Sequence, residues 1–176
     1  CPGHVVISSM NTNSNQDSKL SESDFDAFEI VYKAFNFHGI LYYNSGLNSG
    51  CSQIHKHIQF SPVENTPLLD AMSRKKVPFI VNHVVEIGQI NSQNMMRSYN
   101  ELLRMAEDDP VHDSYNFIIS KGKAFYVPRK IPRFRCGTVF NSFSLSGNFM
   151  VWEYSDPLIK KQPLSVLKNV CFPAVK

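Results

Sequence analysis

Two stretches of the chain repeat apolar residues at helical spacing, and several shorter runs are apolar throughout or alternate. Phe25, Phe28, Tyr32 and Phe35 recur every three or four positions, which predicts an amphipathic helix over about 22–37. Ser21 and Ser23, each followed three residues later by an aspartate (Asp24 and Asp26), offer two overlapping capping boxes at its start, and Gly39 ends it. Met95, Met96, Tyr99, Leu102, Leu103 and Ala106 predict a second helix, and Pro163 predicts the first residue of a short one running to about Val170. Strands are predicted near 5–7, 40–43, 55–60, 79–86 and 149–154. A hairpin is predicted from 115–120 and 124–128 across Lys121-Gly122-Lys123. The stretch 62–78, punctuated by Pro62, Pro67 and Pro78, reads as irregular. Many short strands that do not alternate strictly with helices predict an α+β domain around an antiparallel sheet.

Composition narrows the class. The 176 residues fit one domain, 1–176, and 43% hydrophobic content marks a globular chain. A net charge of +3 suits an anionic small molecule and is too weak to indicate nucleic acid. Arg129, Lys130, Arg133 and Arg135 make the densest basic patch, which reads as a solvated loop. The cysteines Cys1, Cys51, Cys136 and Cys171 form no C-x-x-C pair, and neither a metal framework nor a disulfide scaffold is expected. With no signal peptide and no apolar run of transmembrane length, a reducing, cytoplasmic setting is expected, with no membrane partner. The chain begins at Cys1, just ahead of a strand, so an N-terminal portion of a longer parent is expected to precede it.

The chemistry concentrates in Ser52-Gln53-Ile54-His55-Lys56-His57-Ile58-Gln59. On a strand, His55, His57 and Gln59 share one face while Lys56, Ile58 and Phe60 share the other. Phosphoryl chemistry gives each of the three a task. One imidazole is a competent nucleophile near neutral pH, a second can orient it or move a proton, and the carboxamide can hold a phosphoryl oxygen without titrating. The preceding loop, Asn44-Ser45-Gly46 to Ser49-Gly50-Cys51-Ser52-Gln53, supplies small residues whose N–H groups can approach phosphate, although it is no Walker loop. Two other readings stand beside this one. The histidines could ligate zinc, although no further ligand has a recognisable spacing, or they could simply lie on a solvated strand face. His4 and His83 read as structural, and His38 as a partner for a helix C-terminus. His112, beside Asp108, Asp109 and Asp113, reads as a solvated loop.

The run Tyr43-Asn44-Ser45-Gly46, Ser49-Gly50-Cys51-Ser52-Gln53 and His55-Lys56-His57-Ile58-Gln59 closely resembles the diadenosine tetraphosphate phosphorylases, or ATP adenylyltransferases, a branch of the histidine-triad superfamily. Pro2-Gly3-His4-Val5-Val6, Val77-Pro78-Phe79, Tyr115-Asn116-Phe117, Val127-Pro128-Arg129, Asn141-Ser142-Phe143, Gly147 and Cys171-Phe172-Pro173 extend the resemblance along nearly the whole chain. It implies a histidine-triad-like fold and a two-step reaction. His57 would attack the α-phosphorus of diadenosine tetraphosphate, release ATP and keep AMP, which inorganic phosphate would remove as ADP. Gln59 would bond the nucleotidylated histidine, with His55 in support. Asn44, Gly50, Cys51, Ser52 and Gln53 would hold ribose and phosphates, and Asn141, Ser142, Phe143 and Asn148 the remaining polyphosphate or second nucleoside.

A glutamine at 59, where hydrolases of the superfamily carry a third histidine, suits an enzyme that must keep its covalent intermediate until phosphate arrives. Lys56 stands where hexose-1-phosphate uridylyltransferases usually carry proline. A dinucleoside polyphosphate hydrolase, such a uridylyltransferase and a non-catalytic nucleotide-binding relative remain the alternatives. The chain departs from the family at Cys51 (often Ala), near Asn148 (Met-like) and near Trp152 (basic). No cofactor is required; a divalent cation such as Mg²⁺ would ride on substrate phosphates.

Overall fold

The computed structural model describes residues 2–79, 83–107, 113–153 and 155–173. Strands β1 (Val5–Ser8), β2 (Ile40–Ser45), β3 (His57–Ser61), β4 (His83–Glu86), β5 (Tyr115–Ser120) and β6 (Lys123–Pro128) form one sheet in the order β1-β3-β2-β5-β6-β4. Every pairing is antiparallel, as expected from the sequence. Directly opposed residues share a face. One row, Val6–Gln59–Tyr42–Ile118–Phe125–Val84, therefore crosses all six strands on one side. The row Val5–Phe60–Leu41–Ile119–Ala124–Val85 crosses on the other.

The second of these faces packs on the two long helices. α1 (Glu22–Ala34) buries Phe25, Phe28 and Tyr32, and α3 (Ser92–Ala106) buries Met95, Tyr99, Leu102 and Ala106, the stripes read from the sequence. At the start of α1 the Ser21 N–H donates to Asp24 Oδ2 at 2.7 Å, which is the first of the two capping boxes. The helix stops at Ala34, short of the predicted 37, because Asn36 and Phe37 take positive φ of 52° and 61°.

Short helices cover the other face from β2 to β4: α2 (Pro67–Ser73), α4 (Ser142–Leu145), α5 (Pro157–Lys161) and α6 (Pro163–Val170). α6 falls where Pro163 placed it. α2 corrects the irregular reading of 62–78: Pro67 occupies its first turn, a position prolines tolerate, and Leu68, Leu69 and Met72 are buried beneath it. The predicted strand at 149–154 is absent among the described residues. Phe149 joins the core against Phe140 (ring centroids 5.9 Å apart), whereas Met150 and Trp152 are exposed, so the run is a loop with one apolar anchor. The hairpin turn is tighter than expected. Lys121 and Gly122 alone connect β5 to β6, both at positive φ (49° and 72°), as a right-twisted two-residue turn requires. His112, Asp108 and Asp109 lie outside the described residues.

Candidate active site

The site lies where β2 and β3 part. Their ladder ends at Tyr42–Gln59, so the next facing positions on the same side are Asn44 and His57. Here the carboxamide of Gln16 replaces backbone pairing. Its Nε2 donates to the carbonyls of Asn44 and His57, both at 3.0 Å, and its Oε1 accepts from the His57 N–H at 2.7 Å. Tyr43, pointing to the opposite face, holds the Gln16 segment in place through its one O–H, shared between the carbonyls of Gln16 and Ser18, each 2.7 Å away. Burial raises the Tyr43 pKa far above that of a free phenol, so it stays a donor. Gln16 is a site residue that the motif does not mark. Its role depends on where the 9–18 loop crosses the sheet, which no local pattern reports.

His57 is fixed in one tautomer. Its Nδ1 lies 2.9 Å from the backbone carbonyl of His55, which can only accept, so Nδ1 carries the proton. Nε2 then holds the lone pair, and among the described residues it has no protein partner. β3 begins at His57 and not at 55 as predicted. His55 instead forms an isolated bridge with Asn15, and its Nε2 reaches the Ser9 carbonyl at 2.8 Å. Its side chain is thus an anchor, while its carbonyl sets the tautomer. Lys56 faces away, as expected, where its ammonium bonds Asp24 Oδ2 at 2.6 Å and the Lys19 carbonyl at 2.9 Å.

Gln59 lies on the same face as His57, with Oε1 3.1 Å from His4 Nε2. The Tyr42 hydroxyl is also 3.1 Å from that nitrogen and 3.3 Å from Ser61 Oγ, and the His4 and Tyr42 rings lie parallel. With its oxygen engaged by His4, Gln59 has no partner for its NH₂ group among the described residues, which leaves that group able to donate. His4 therefore belongs to the site. The register that brings β1 beside β3 places it there, and the sequence alone gave no such signal.

Asn44 is 1% exposed, and its Oδ1 accepts three bonds: from Asn116 Nδ2 (2.7 Å), the Ser142 N–H (2.9 Å) and Ser142 Oγ (2.7 Å). Among the described residues its Nδ2 has no partner. The loop after it folds tightly against the second half of the chain. A Cβ on Gly50 would lie 2.1 Å from the Phe140 carbonyl oxygen, and φ there is +77°. Glycine at this position thus seats the loop on Phe140 and Asn141.

The remaining predicted residues divide. Ser142 reaches Asn44 directly. Asn141 caps α4, its Oδ1 accepting from the N–H groups of Phe143 and Ser144, and Phe143 packs into the core. Cys51 is half-buried, a free thiol with Sγ 3.5 Å from the Gly46 carbonyl. Ser52 and Gln53 are exposed on the loop. Asn148 bonds the Asn65 carbonyl and Ser146 Oγ, and among the described residues no bond joins it to Asn44, His57 or Gln59. Arg129 corrects the solvated reading of the basic patch: it is fully buried. Beside the loop, a cleft of about 400 Å³ is lined by Gln16, Asp17, Leu47, Cys51, Ile54 and Asp113 among others. Among the described residues no group of three or more His, Cys, Asp or Glu side chains is placed to hold a metal ion, and no helix is long and apolar enough to cross a membrane.

Comparison with known proteins gives the family and the fold. Residues 75–173 match the family model for the ATP adenylyltransferase C-terminal domain, and residues 2–86 match that for the Ap4A phosphorylase N-terminal domain. The chain superposes on the crystal structure of yeast Ap4A phosphorylase Apa2 in complex with AMP. The TM-score is 0.80 at 21% identity, over 98% of this chain and 69% of that one. The Apa2 complex with Ap4A gives 0.78 at 21% identity, over 98% and 70%. At that identity the likeness establishes the fold. No curated protein sequence matches.

Proposed function

The chain belongs to the Ap4A phosphorylase family of ATP adenylyltransferases, which cleave diadenosine tetraphosphate with inorganic phosphate to ATP and ADP, and from that membership we propose that His57 carries the adenylyl group between the two half-reactions. The observation that carries this reading is the 2.9 Å bond from His57 Nδ1 to the His55 carbonyl, which leaves the Nε2 lone pair free. In the first step that lone pair forms the N–P bond to the α-phosphorus. The bridging oxygen to the next phosphorus leaves with its electron pair as ATP. The positive charge that develops on the ring is stabilised by the Nδ1–H bond to the His55 carbonyl. In the second step an oxygen of inorganic phosphate attacks the same phosphorus, the P–N bond breaks, and the electron pair returns to Nε2 as ADP departs.

Gln59 holds a phosphoryl oxygen through its free NH₂, with its own oxygen oriented by His4. A carboxamide neither donates a proton to water nor accepts one from it, so the adenylyl-histidine persists until phosphate enters; a third imidazole at this position would favour hydrolysis. The adenosine of the transferred AMP occupies the cleft beside the loop, whose volume suits a nucleoside and whose Leu47 and Ile54 side chains offer apolar contact to a base. A divalent cation, where one takes part, enters on the substrate's phosphates. A reducing cytoplasmic setting is part of the proposal, in keeping with the free thiols of Cys51 and Cys171.

Incubating the protein with diadenosine tetraphosphate labelled in its α-phosphate tests the reading. ADP that forms only when phosphate is added supports it. AMP released without phosphate would show a hydrolase instead.

A further inference from the structure

Among the described residues, Arg129 is a buried cation without an anion. Its guanidinium is fully buried and bonds only neutral oxygens: the Val170 carbonyl (3.3 Å), the Ser49 carbonyl (3.2 Å), the Ile131 carbonyl (3.1 Å) and Asn116 Oδ1 (2.6 Å). The ionisable group beside it, Cys171, cannot balance it, because burial pushes that thiol up to about 11 and keeps it neutral. Burying an unpaired charge is costly, and among the described residues no carboxylate pairs with this one.

Two side-chain amides connect this charge to the face of His57, and their orientations follow from groups that can act in only one way. Arg129 can only donate and the Ser49 carbonyl can only accept. Asn116 must therefore turn its oxygen to the guanidinium and its nitrogen to Ser49, at 2.9 Å. That nitrogen also donates to Asn44, where the Ser142 backbone N–H can likewise only donate, so Asn44 Oδ1 is the acceptor of both. The relay ends at Asn44 Nδ2, a buried donor with no partner among the described residues, on the strand position that follows the Tyr42–Gln59 pair and faces His57. Hydrogen bonds in series polarise one another, most strongly where water is excluded.

We propose that Arg129 and Asn116 are positioning residues for nucleotidyl transfer: the buried cation orients and polarises the two amides so that Asn44 Nδ2 donates to a phosphoryl oxygen of the nucleotide at His57. The inference rests on His57 as nucleophile. It also accounts for the buried charge, since the missing anion arrives with the substrate, and for the orphaned donor, since its acceptor arrives the same way.

The deciding variant is Asn116→Asp. It keeps the size of the side chain and the contact to Arg129, but it pairs the guanidinium with a carboxylate and puts an oxygen where an N–H faced Asn44 Oδ1, so Asn44 is held by Ser142 alone and is no longer polarised by the cation. Removing one preorganised donor from a developing phosphoryl charge costs about 10² in rate. Expected is a kcat for phosphorolysis lower by about that factor, with KM for diadenosine tetraphosphate within about threefold and Tm within a few degrees of wild type. A purely structural role would instead lower Tm and leave the kcat of the folded fraction intact, and that result overturns the proposal. Should the variant not fold, the wild-type protein decides: the Asn44 side-chain amide protons shift downfield on saturation with AMP, and unchanged resonances overturn the relay. Wild-type protein that takes no label from diadenosine tetraphosphate sinks the catalytic reading, while the AMP titration still reports on the relay.

Discussion

The backbone carbonyl of His55 lies 2.9 Å from Nδ1 of His57, a contact that no change of side chain at position 55 removes. The two histidines of the motif therefore contribute unequally. One supplies its ring and the other supplies its main chain.

Substituting the two should separate these contributions. His57→Ala is expected to abolish transfer of labelled AMP to the protein. His55→Ala keeps the carbonyl and loses only the 2.8 Å anchor to Ser9, so labelling should persist with a rate reduced by about tenfold. Acid-labile label counted on the precipitated protein distinguishes them, and equal loss in both variants would contradict the assignment.

Gly50 should tolerate no side chain. An alanine there would bring a Cβ to 2.1 Å from the Phe140 oxygen at a φ of +77°. Gly50→Ala is expected to cost at least about 2 kcal/mol, read as a shift of the urea midpoint. It should also weaken AMP binding, because the loop loses its seat on Phe140 and Asn141.

The Lys56–Asp24 pair should matter for stability and not for chemistry. Its 2.6 Å contact joins side chains only 7% and 16% exposed, on the face opposite the site. Asp24→Ala strands the ammonium and removes a helix cap, for a loss of about 3 kcal/mol. The turnover of the folded fraction should remain unchanged. A variant as stable as wild type in chemical denaturation would refute the account.

Alkaline pH should loosen the core through Cys171. Its folded-state pKa is pushed up to about 11 by burial, above the value of about 8.5 for a free thiol. The unfolded chain thus loses this proton first. The stabilisation is fully present below about 8.5 and falls away as pH rises toward 11. Cys171→Ala should flatten the decline in unfolding free energy across that window, and an unchanged slope would show that the thiol takes no part in it.

Much of this arrangement was legible in the chain itself. The apolar stripes of α1 and α3 were plain because each helix has one buried face. The alternation of His57 and Gln59 was plain because a strand imposes it. Residues that act across strands were not. His4 reaches Gln59 through the β1–β3 register, Gln16 spans β2 and β3 from a polar loop, and Arg129 is buried within what reads as a basic surface run. Each is recruited by partners far away in sequence, and local pattern carries no trace of that. The misread strand at 149–154 failed for a related reason: Phe149 alone takes the burial, and its neighbours Met150 and Trp152 stay exposed.

The strand order also has a consequence for how the chain is made. β1, β3 and β2 all precede residue 62 and can pair soon after synthesis, yet the second edge of β2 must wait for β5, with Tyr42 meeting Ile118. Until then the edge of β2, with Ile40, Leu41, Tyr42 and Tyr43 in a row, is open to any neighbouring chain. The nascent protein therefore passes through a window in which its vulnerability to aggregation is set by ribosome speed, before the two halves of the catalytic face have met.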